Sequence, residues 1–115
     1  MDLESIKDNR DFKKVYHKGR SYANKFLVMY AMKNNSDLSR RGISVSKKVG
    51  NSVVRHRVTR LIRESIRLNQ GKIKQGYDIV IIARNAAKDR GYREIESAFL
   101  HLCRLHHLVK EDDKD

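Results

Sequence analysis

The sequence predicts an α+β fold in which helices pack on a mixed β-sheet. Two short apolar runs, FLVMYAM at 26–32 and YDIVIIA at 77–83, have the composition of buried strands. A long amphipathic helix separates the second run from a strand candidate at 41–46, and a crossover of that length allows these two strands to lie parallel. The chain order of helix, strands, helix, strand and helix is typical of this class.

The first helix is predicted over residues 10–17. Asp8 or Asn9 can cap its N-terminus, and Gly19 is placed to end it. Its large apolar residues recur at helical spacing and include two aromatic rings, so one face of the helix is aromatic. These residues are Phe12, Val15 and Tyr16.

Two strand candidates follow this helix. The run at 26–32 carries apolar residues on both of its faces, so both faces are expected to be covered. A turn over 34–39 leads to the strand at 41–46, in which Ile43 and Val45 point inward.

The rest of the chain supplies two helices and one more strand. Asn51 or Ser52 caps the long helix, which ends near Asn69. The run at 77–83 is apolar enough to be a strand buried on both faces. A final helix is predicted over about 92–107, with an apolar stripe along one side.

The charge balance points to a polyanionic partner. The chain of 115 residues carries 26 Lys and Arg against 14 Asp and Glu, a net charge of +12. Nucleic acid is the first candidate and an anionic membrane surface the second. No run is long enough to span a bilayer, and the N-terminus MDLESIKDNR lacks the apolar core of a signal peptide, so we expect a cytoplasmic protein.

The length fits one domain, and residues 1–115 show no linker or internal repeat that would divide it. We expect loose ends over about 1–7 and 109–115, because both are polar and charged. The single cysteine, Cys103, excludes an internal disulfide and a cysteine-based zinc site, and is interpreted as a buried apolar residue.

The long helix separates its apolar and basic residues. At about 100° per residue, one arc collects the apolar positions, which are Val54, Val58, Leu61, Ile62, Ser65 and Ile66. The opposite side collects His56, Arg60, Arg63 and Arg67, which we call the ridge, with Arg55 and Arg57 on its flanks.

The ridge belongs to a region in which positive charge is concentrated. Between Arg40 and Arg67 there are nine Lys or Arg residues and one Glu. A solvated outer face does not require this many arginines, whereas the guanidinium fork matches phosphate oxygens. Lys47 and Lys48 precede the helix N-terminus, where free backbone N–H groups also suit an anion. We therefore predict a phosphate-binding surface.

The string SVSKKVGNSVVRHRVTRLIRE, at 44–64, resembles the signature of the bacterial ribonuclease P protein component. That family has a strand, a lysine pair, Gly-Asn and an R-(N/H)-R helix in this order. The segments DFKKVYHKGRSYANKFLVMY and YDIVIIAR are similar to further family segments, so the resemblance covers nearly the whole chain. Two positions depart from the commoner pattern: His56 stands where Asn is more usual, and Thr59 where Lys is frequent.

The resemblance implies a two-layer α/β sandwich of αβββαβα order. Its mixed four-stranded sheet has a ribosomal protein S5 domain 2-like topology, in which a left-handed crossover joins two parallel strands through the arginine-bearing helix. General sheet chirality would favour the right-handed connection. The fourth strand has only a weak candidate in this sequence, at 20–23.

The resemblance also implies a function. Family members are protein subunits of a ribonucleoprotein endonuclease that removes the 5′ leader of precursor tRNA, with the catalytic site made by RNA and Mg²⁺. The partners implied are the catalytic RNA and precursor tRNA, with Mg²⁺ bound through the RNA and no catalytic side chain in the protein. The scattered carboxylates of this chain agree, since they form no acidic cluster for two metal ions.

By matching positions, the resemblance implies two sets of binding residues. Those expected to contact the catalytic RNA are Lys47, Lys48, Asn51, Arg55, His56, Arg57, Arg60, Arg63 and, from the ridge, Arg67. Those expected to line a groove for the single-stranded leader are Phe12, Tyr16, Val28 and Tyr30, with Lys13 for a leader phosphate.

The groove has independent support from spacing. Phe12 and Tyr16 share one face of the first helix, and Val28 and Tyr30 share one face of the next strand. Aromatic platforms beside cations suit single-stranded RNA. Plain core packing remains an open alternative for these residues, as does a purely solubilising role for Lys13.

Two other functions are compatible with the composition. A ribosomal or RNA-chaperone protein would need the same charge and aromatic groove, and only the motif order argues against it. A protein-only ribonuclease would need two histidines as general base and acid. The chain has five, but His101, His106 and His107 lack a metal-binding spacing and are interpreted as structural or surface residues.

Overall fold

One mixed sheet of five strands organises the fold. The computed structural model describes residues 4–110. The strands are β1 (Glu4–Ser5), β2 (Arg20–Ala23), β3 (Leu27–Lys33), β4 (Arg40–Ser44) and β5 (Tyr77–Ala83), and the helices are α1 (Asn9–Lys18), α2 (Ser52–Asn69) and α3 (Tyr92–Leu105). Short 3₁₀ turns follow α2 at Gln70–Lys72 and β5 at Asn85–Ala87.

The strand order is β1-β4-β5-β3-β2. β3 pairs antiparallel with both β2 and β5, whereas β4 pairs parallel with β5 and with β1. The predicted αβββαβα order and mixed sheet are therefore confirmed, including the weakly signalled strand at 20–23. The sequence did not predict β1, which adds two residues at the edge of the sheet. The left-handed sense of the β4–α2–β5 crossover stays a prediction.

The sheet is covered on both faces, as its apolar strands require. Alternate residues of β3 and β5, among them Leu27, Met29 and Ile81, pack with α2 and α3 in the main core. The intervening residues face α1, where Val15 and Val80 are buried with Ile6 in a smaller cluster. The two-layer description thus fits the sheet with α2 and α3, and α1 adds a partial third layer.

Residues near both ends of the described chain contact the rest of the fold. Within the segment expected to be loose at 1–7, Ile6 is buried and its backbone N–H bonds to the carbonyl of Arg41. Near the other end, Val109 bridges to Ile73. Backbone pairing therefore joins Ile6 and Val109 to the rest of the fold. Residues 1–3 and 111–115 lie outside the described part of the chain.

A buried carboxylate fastens α1 and the β3–β4 loop to the sheet. Asp78, on β5, is 2% exposed and accepts two hydrogen bonds from the guanidinium of Arg40, with Nε 3.0 Å from Oδ1. Arg40 also donates to Asp11 of α1 at 3.1 Å, and Asn34 donates to Asp78 at 2.9 Å. Burial alone would raise the pKa of Asp78, but the hydrogen bonds from Arg40 and Asn34 outweigh it and lower the pKa.

Substituting Asp78→Asn should lower the free energy of unfolding by about 3 kcal/mol, because it breaks the buried ion pair and leaves the half-buried Arg40 guanidinium with the partly exposed Asp11 as its remaining counter-charge. Since the folded pKa lies below the unfolded value of about 3.9, the contribution is complete above about pH 4 and is lost as the pH falls through the folded pKa. Urea unfolding at pH 7 and pH 3 measures both effects. Asp37→Asn, at an exposed position of the β3–β4 loop, is the control. Equal losses of stability in the two variants would contradict the stabilising role of Asp78.

Candidate nucleic-acid interface

The long helix begins at its predicted cap. The side chain of Asn51 accepts a hydrogen bond from the backbone N–H of Val54 at 3.0 Å, which satisfies one of the free donors of the first turn. Gly50, just before it, lies against Val54, so a Cβ at position 50 would come within 2.7 Å of that side chain. The loop and the helix start are therefore fixed by packing as well as by capping.

The helix sorts its faces as the wheel predicts. Val58, Ile62, Ser65 and Ile66 are buried against the sheet and α3. Their burial turns the ridge outward, and His56, Arg60, Arg63 and Arg67 are all exposed. At 1.5 Å per residue the ridge runs for about 16 Å along the helix axis.

Several predicted RNA contacts carry no internal counter-charge. Among the ion pairs of residues 4–110, none involves Lys47, Lys48, His56, Arg60 or Arg63. All five side chains are exposed. Like charges this close repel one another, and phosphate groups would relieve the repulsion.

The other predicted contacts also serve the protein itself. Arg55 donates from Nε to the carbonyl of Gly50 at 3.2 Å, and Arg57 donates to the carbonyl of Arg90 at 2.7 Å. Both keep their charge and further N–H donors. Arg67 is held by Glu64, with Nε 3.1 Å from Oε2, so the C-terminal end of the ridge is partly neutralised. The side-chain oxygen of Asn51 already accepts the capping hydrogen bond from Val54.

The aromatic residues predicted for the leader meet at the α1–β3 junction. The ring of Tyr16 lies 5.0 Å from that of Tyr30 in an edge-to-face contact and 6.4 Å from that of Phe12. Tyr16 is 38% exposed, whereas Phe12 and Tyr30 are half-buried. Burial, with a smaller contribution from Tyr30, raises the pKa of Tyr16.

Phe12 is fixed by a small residue beneath it. A Cβ on Gly42 of β4 would lie 2.5 Å from the Phe12 ring, so only glycine allows the ring to lie this close to the sheet. Val28 is half-buried on the same sheet face as Tyr30, and Lys13 is exposed on α1. The structure therefore brings Phe12, Tyr16 and Tyr30 together, with Val28 on the same sheet face, and a leader-binding role for them stays a prediction.

Two of the five histidines contact neighbouring elements. No group of three or more His, Cys, Asp or Glu side chains within residues 4–110 is placed to hold a metal ion. His106 lies 2.9 Å from the carbonyl of Met29 and edge-to-face against Tyr22, and burial lowers its pKa. His101 contacts Asn24. No helix within the described residues is long and apolar enough to cross a membrane.

Sequence reasoning missed the residues that position these surfaces. Arg40 was counted with the basic region, yet it is committed to Asp78 and Asp11. A lone acid inside the apolar run YDIVIIA was the available signal, because a buried carboxylate needs a partner. The contact between Asn24 and His101 joins residues 77 positions apart and had no local signal.

A mixed sheet flanked by helices, an outward arginine ridge and a separate aromatic groove define a small basic α/β protein with the surface chemistry of RNA-binding proteins. A family model described as Ribonuclease P matches residues 2–106. The chain therefore belongs to the ribonuclease P protein family.

Relatives and solved structures agree with that assignment. The chain is 54% identical over 112 residues to the ribonuclease P protein component of Lachnoclostridium phytofermentans, covering 97% of each chain. It is 59% identical over 104 residues to that of Alkaliphilus metalliredigens, covering 90% of this chain and 94% of the other. Its fold is similar to the RNase P protein of Staphylococcus aureus, with a TM-score of 0.86 at 38% identity over 94% of this chain and 99% of that one. For the Thermotoga maritima protein the TM-score is 0.82 at 32% identity, over 89% and 96%.

Proposed function

We propose that this chain is the protein subunit of ribonuclease P, the ribonucleoprotein endonuclease that removes the 5′ leader of precursor tRNA. The family match over 2–106 supports the assignment, and the motif order no longer stands alone against the ribosomal or RNA-chaperone alternative. The observation that carries the proposal on this chain is the ridge, where Arg60 and Arg63 are exposed without a carboxylate partner among residues 4–110.

The two surfaces suit two different RNAs. A convex row of cations suits the closely spaced phosphates of a folded RNA, so we assign the ridge and the loop before α2 to the catalytic RNA. The proposed contacts are Lys47, Lys48, Arg55, His56, Arg57, Arg60 and Arg63, with Asn51 and Arg67 in lesser roles because both are engaged internally.

A groove with aromatic walls suits an unpaired strand, whose bases can stack without sequence preference. We therefore assign the groove of Phe12, Tyr16, Val28 and Tyr30 to the leader of precursor tRNA, with Lys13 as a phosphate contact. This arrangement lets the protein distinguish precursor from mature tRNA, because only the precursor has a leader to occupy the groove.

The chemistry of cleavage is assigned to the RNA. We assign the magnesium to the RNA subunit, as the resemblance to the family implies. The protein contributes binding, orientation and charge: the ridge offsets phosphate repulsion in the folded RNA, and the groove adds affinity for the substrate. The bacterial cytoplasm, where tRNA is transcribed, is the proposed location.

Reconstitution tests the proposal. Precursor tRNA is incubated at low Mg²⁺ with the catalytic RNA of the same organism, with the protein, or with both. We expect accurate 5′ cleavage only with both, and cleavage by the RNA alone when Mg²⁺ is raised. Cleavage by purified, RNA-free protein would support the protein-only ribonuclease instead. Cleavage that the protein does not change would support a ribosomal or chaperone role.

A further inference from the structure

A second basic surface lies where the β2–β3 turn meets α3, on the sheet face opposite the aromatic groove. It consists of two adjoining cavities, of about 400 and about 620 Å³, and Lys25 lines both. We call it the turn surface. The cations lining the cavities are Lys25, Arg84 and Arg93. Among the described residues, Glu94 is the carboxylate of this lining, and it pairs with Arg90 at 3.4 Å.

In the first cavity, a hydrogen bond from Asn24 fixes the orientation of the His101 ring. The side-chain oxygen of Asn24 accepts the backbone N–H groups of Phe26 and Leu27, at 3.2 and 3.0 Å. Its amide nitrogen therefore faces α3, where it donates to the carbonyl of Ala98 at 2.9 Å and lies 3.1 Å from Nδ1 of His101. Because Nδ1 must accept, the neutral imidazole carries its hydrogen on Nε2.

This tautomer leaves His101 ready to bind an oxygen acceptor. The residue is exposed and lines the cavity together with Ser97, whose hydroxyl is a second polar group. The wall beside them is partly apolar, formed by Phe26 and Ala98. A mixed cavity of this size, with donors at one side, has the composition of a site for a planar polar group such as a nucleobase.

The second cavity is cationic, because Lys25 and Arg84 line it. Arg84 donates from Nη1 to the carbonyl of Asn24 at 2.9 Å, which holds it beside Lys25. The guanidinium of Arg90 lies 5.3 Å from the centroid of the Phe26 ring, and the Lys25 ammonium lies 5.9 Å from it. Lys25 and Arg84 thus line one cavity together, which suits a phosphate group. Arg90 lies beside the same ring and pairs with Glu94 at 3.4 Å.

The turn surface is continuous with the ridge. Arg57, on the flank of α2, donates to the carbonyls of Lys88 and Arg90, at 3.4 and 2.7 Å. The loop at 88–90 therefore lies directly between α2 and the Phe26 ring. A folded RNA held on the ridge would reach this loop first and the turn surface next, whereas a strand in the groove would lie on the other side of the sheet.

We propose that the turn surface binds one unpaired nucleotide of the catalytic RNA, with its phosphate at Lys25 and Arg84 and its base in the cavity beside His101. The nucleotide accepts a hydrogen bond from Nε2 of His101 through a base oxygen or nitrogen. This inference rests on the proposed function and extends the RNA footprint from α2 across the loop at 88–90 to α3.

Two variants separate the phosphate from the base. Lys25→Gln combined with Arg84→Gln removes the two exposed charges of the phosphate cavity and should weaken binding of the catalytic RNA about tenfold while lowering the slope of log Kd against log salt by about one to two. His101→Phe keeps a flat ring without the donor and should weaken binding about fivefold with the slope unchanged. Lys72→Gln combined with Lys74→Gln, two exposed lysines outside both surfaces, is the charge-matched control.

The readouts are filter binding of the catalytic RNA, and binding of precursor and mature tRNA by the assembled holoenzyme, with thermal unfolding to confirm that each variant folds. Losses confined to the catalytic RNA support the inference. If the turn-surface variants bind the catalytic RNA as tightly as the lysine control does, the inference is overturned. A surface that binds a protein partner instead would give this result. Losses confined to precursor tRNA would assign the site to the substrate and overturn the choice of RNA. A ridge variant that keeps full affinity would instead overturn the proposed function.

Discussion

Replacing Arg60 and Arg63 together by Gln is expected to weaken binding of the catalytic RNA by about 150-fold or more at 0.1 M salt, the largest effect we predict for any pair of exposed residues. Each charge-assisted hydrogen bond to phosphate contributes about 1.5–3 kcal/mol, and two are removed. The fold should be unaffected, because both side chains point away from the buried side of α2.

Salt dependence distinguishes specific phosphate contacts from general attraction. The slope of log Kd against log salt should fall by about one for each arginine removed. The control is Arg20→Gln with Arg104→Gln, which removes the same charge from exposed positions outside the ridge. If both pairs lost affinity equally, net charge alone would explain binding and the ridge would have no special role.

Tyr16→Ala is expected to weaken binding of precursor tRNA by the holoenzyme about 5- to 150-fold, and binding of mature tRNA very little. The range follows from the 1–3 kcal/mol that base stacking on an aromatic side chain contributes. Tyr16 is the most informative groove position because it is 38% exposed, whereas Phe12 is seated on Gly42 and its loss would also damage packing.

Tyr16→Phe provides the matched control. It keeps the ring and removes only the hydroxyl, so a stacking role predicts precursor affinity close to that of the unmodified protein. Competition binding with precursor and mature tRNA measures the ratio directly. Equal losses for both RNAs in Tyr16→Ala would mean that the ring supports the fold and that the leader lies elsewhere.

The sequence predicted the helices and strands whose own pattern of apolar residues shows which of their faces are buried. β5 was placed with its observed bounds because its run is apolar on both faces, and α2 because its apolar positions recur at helical spacing. β1 was missed because two residues carry no period, and its pairing with Arg40 and Arg41 depends on a strand 36 positions away. The placement of α1 on its own sheet face is likewise a tertiary property.

The candidate site was predictable to the same extent. Helical periodicity showed which side of α2 would be exposed. It did not show that Glu64 would pair with Arg67, or that the side-chain oxygen of Asn51 would accept the capping hydrogen bond. Periodicity also paired Phe12 with Tyr16 on one face of α1, while the approach of Tyr30 depended on how α1 packs over the sheet. The Asn24–His101 pair required the folded chain.

The buried cysteine permits a direct test of where each RNA lies. Cys103 is fully buried, and burial raises the pKa of its thiol to about 12, so it is not expected to react with a thiol-directed probe. A cysteine introduced at an exposed position can therefore carry a cleaving reagent selectively. His56 lies on the ridge and His17 lies on exposed α1 next to Tyr16.

The decisive measurement is RNA cleavage by an iron chelate tethered to His56→Cys or to His17→Cys in the assembled holoenzyme with precursor tRNA. We expect the chelate at 56 to cut the catalytic RNA at a few neighbouring nucleotides, and the chelate at 17 to cut the precursor in its leader. Cleavage of the catalytic RNA from position 17 alone, or of neither RNA from position 56, would contradict the claim that the outward face of α2 holds the catalytic RNA.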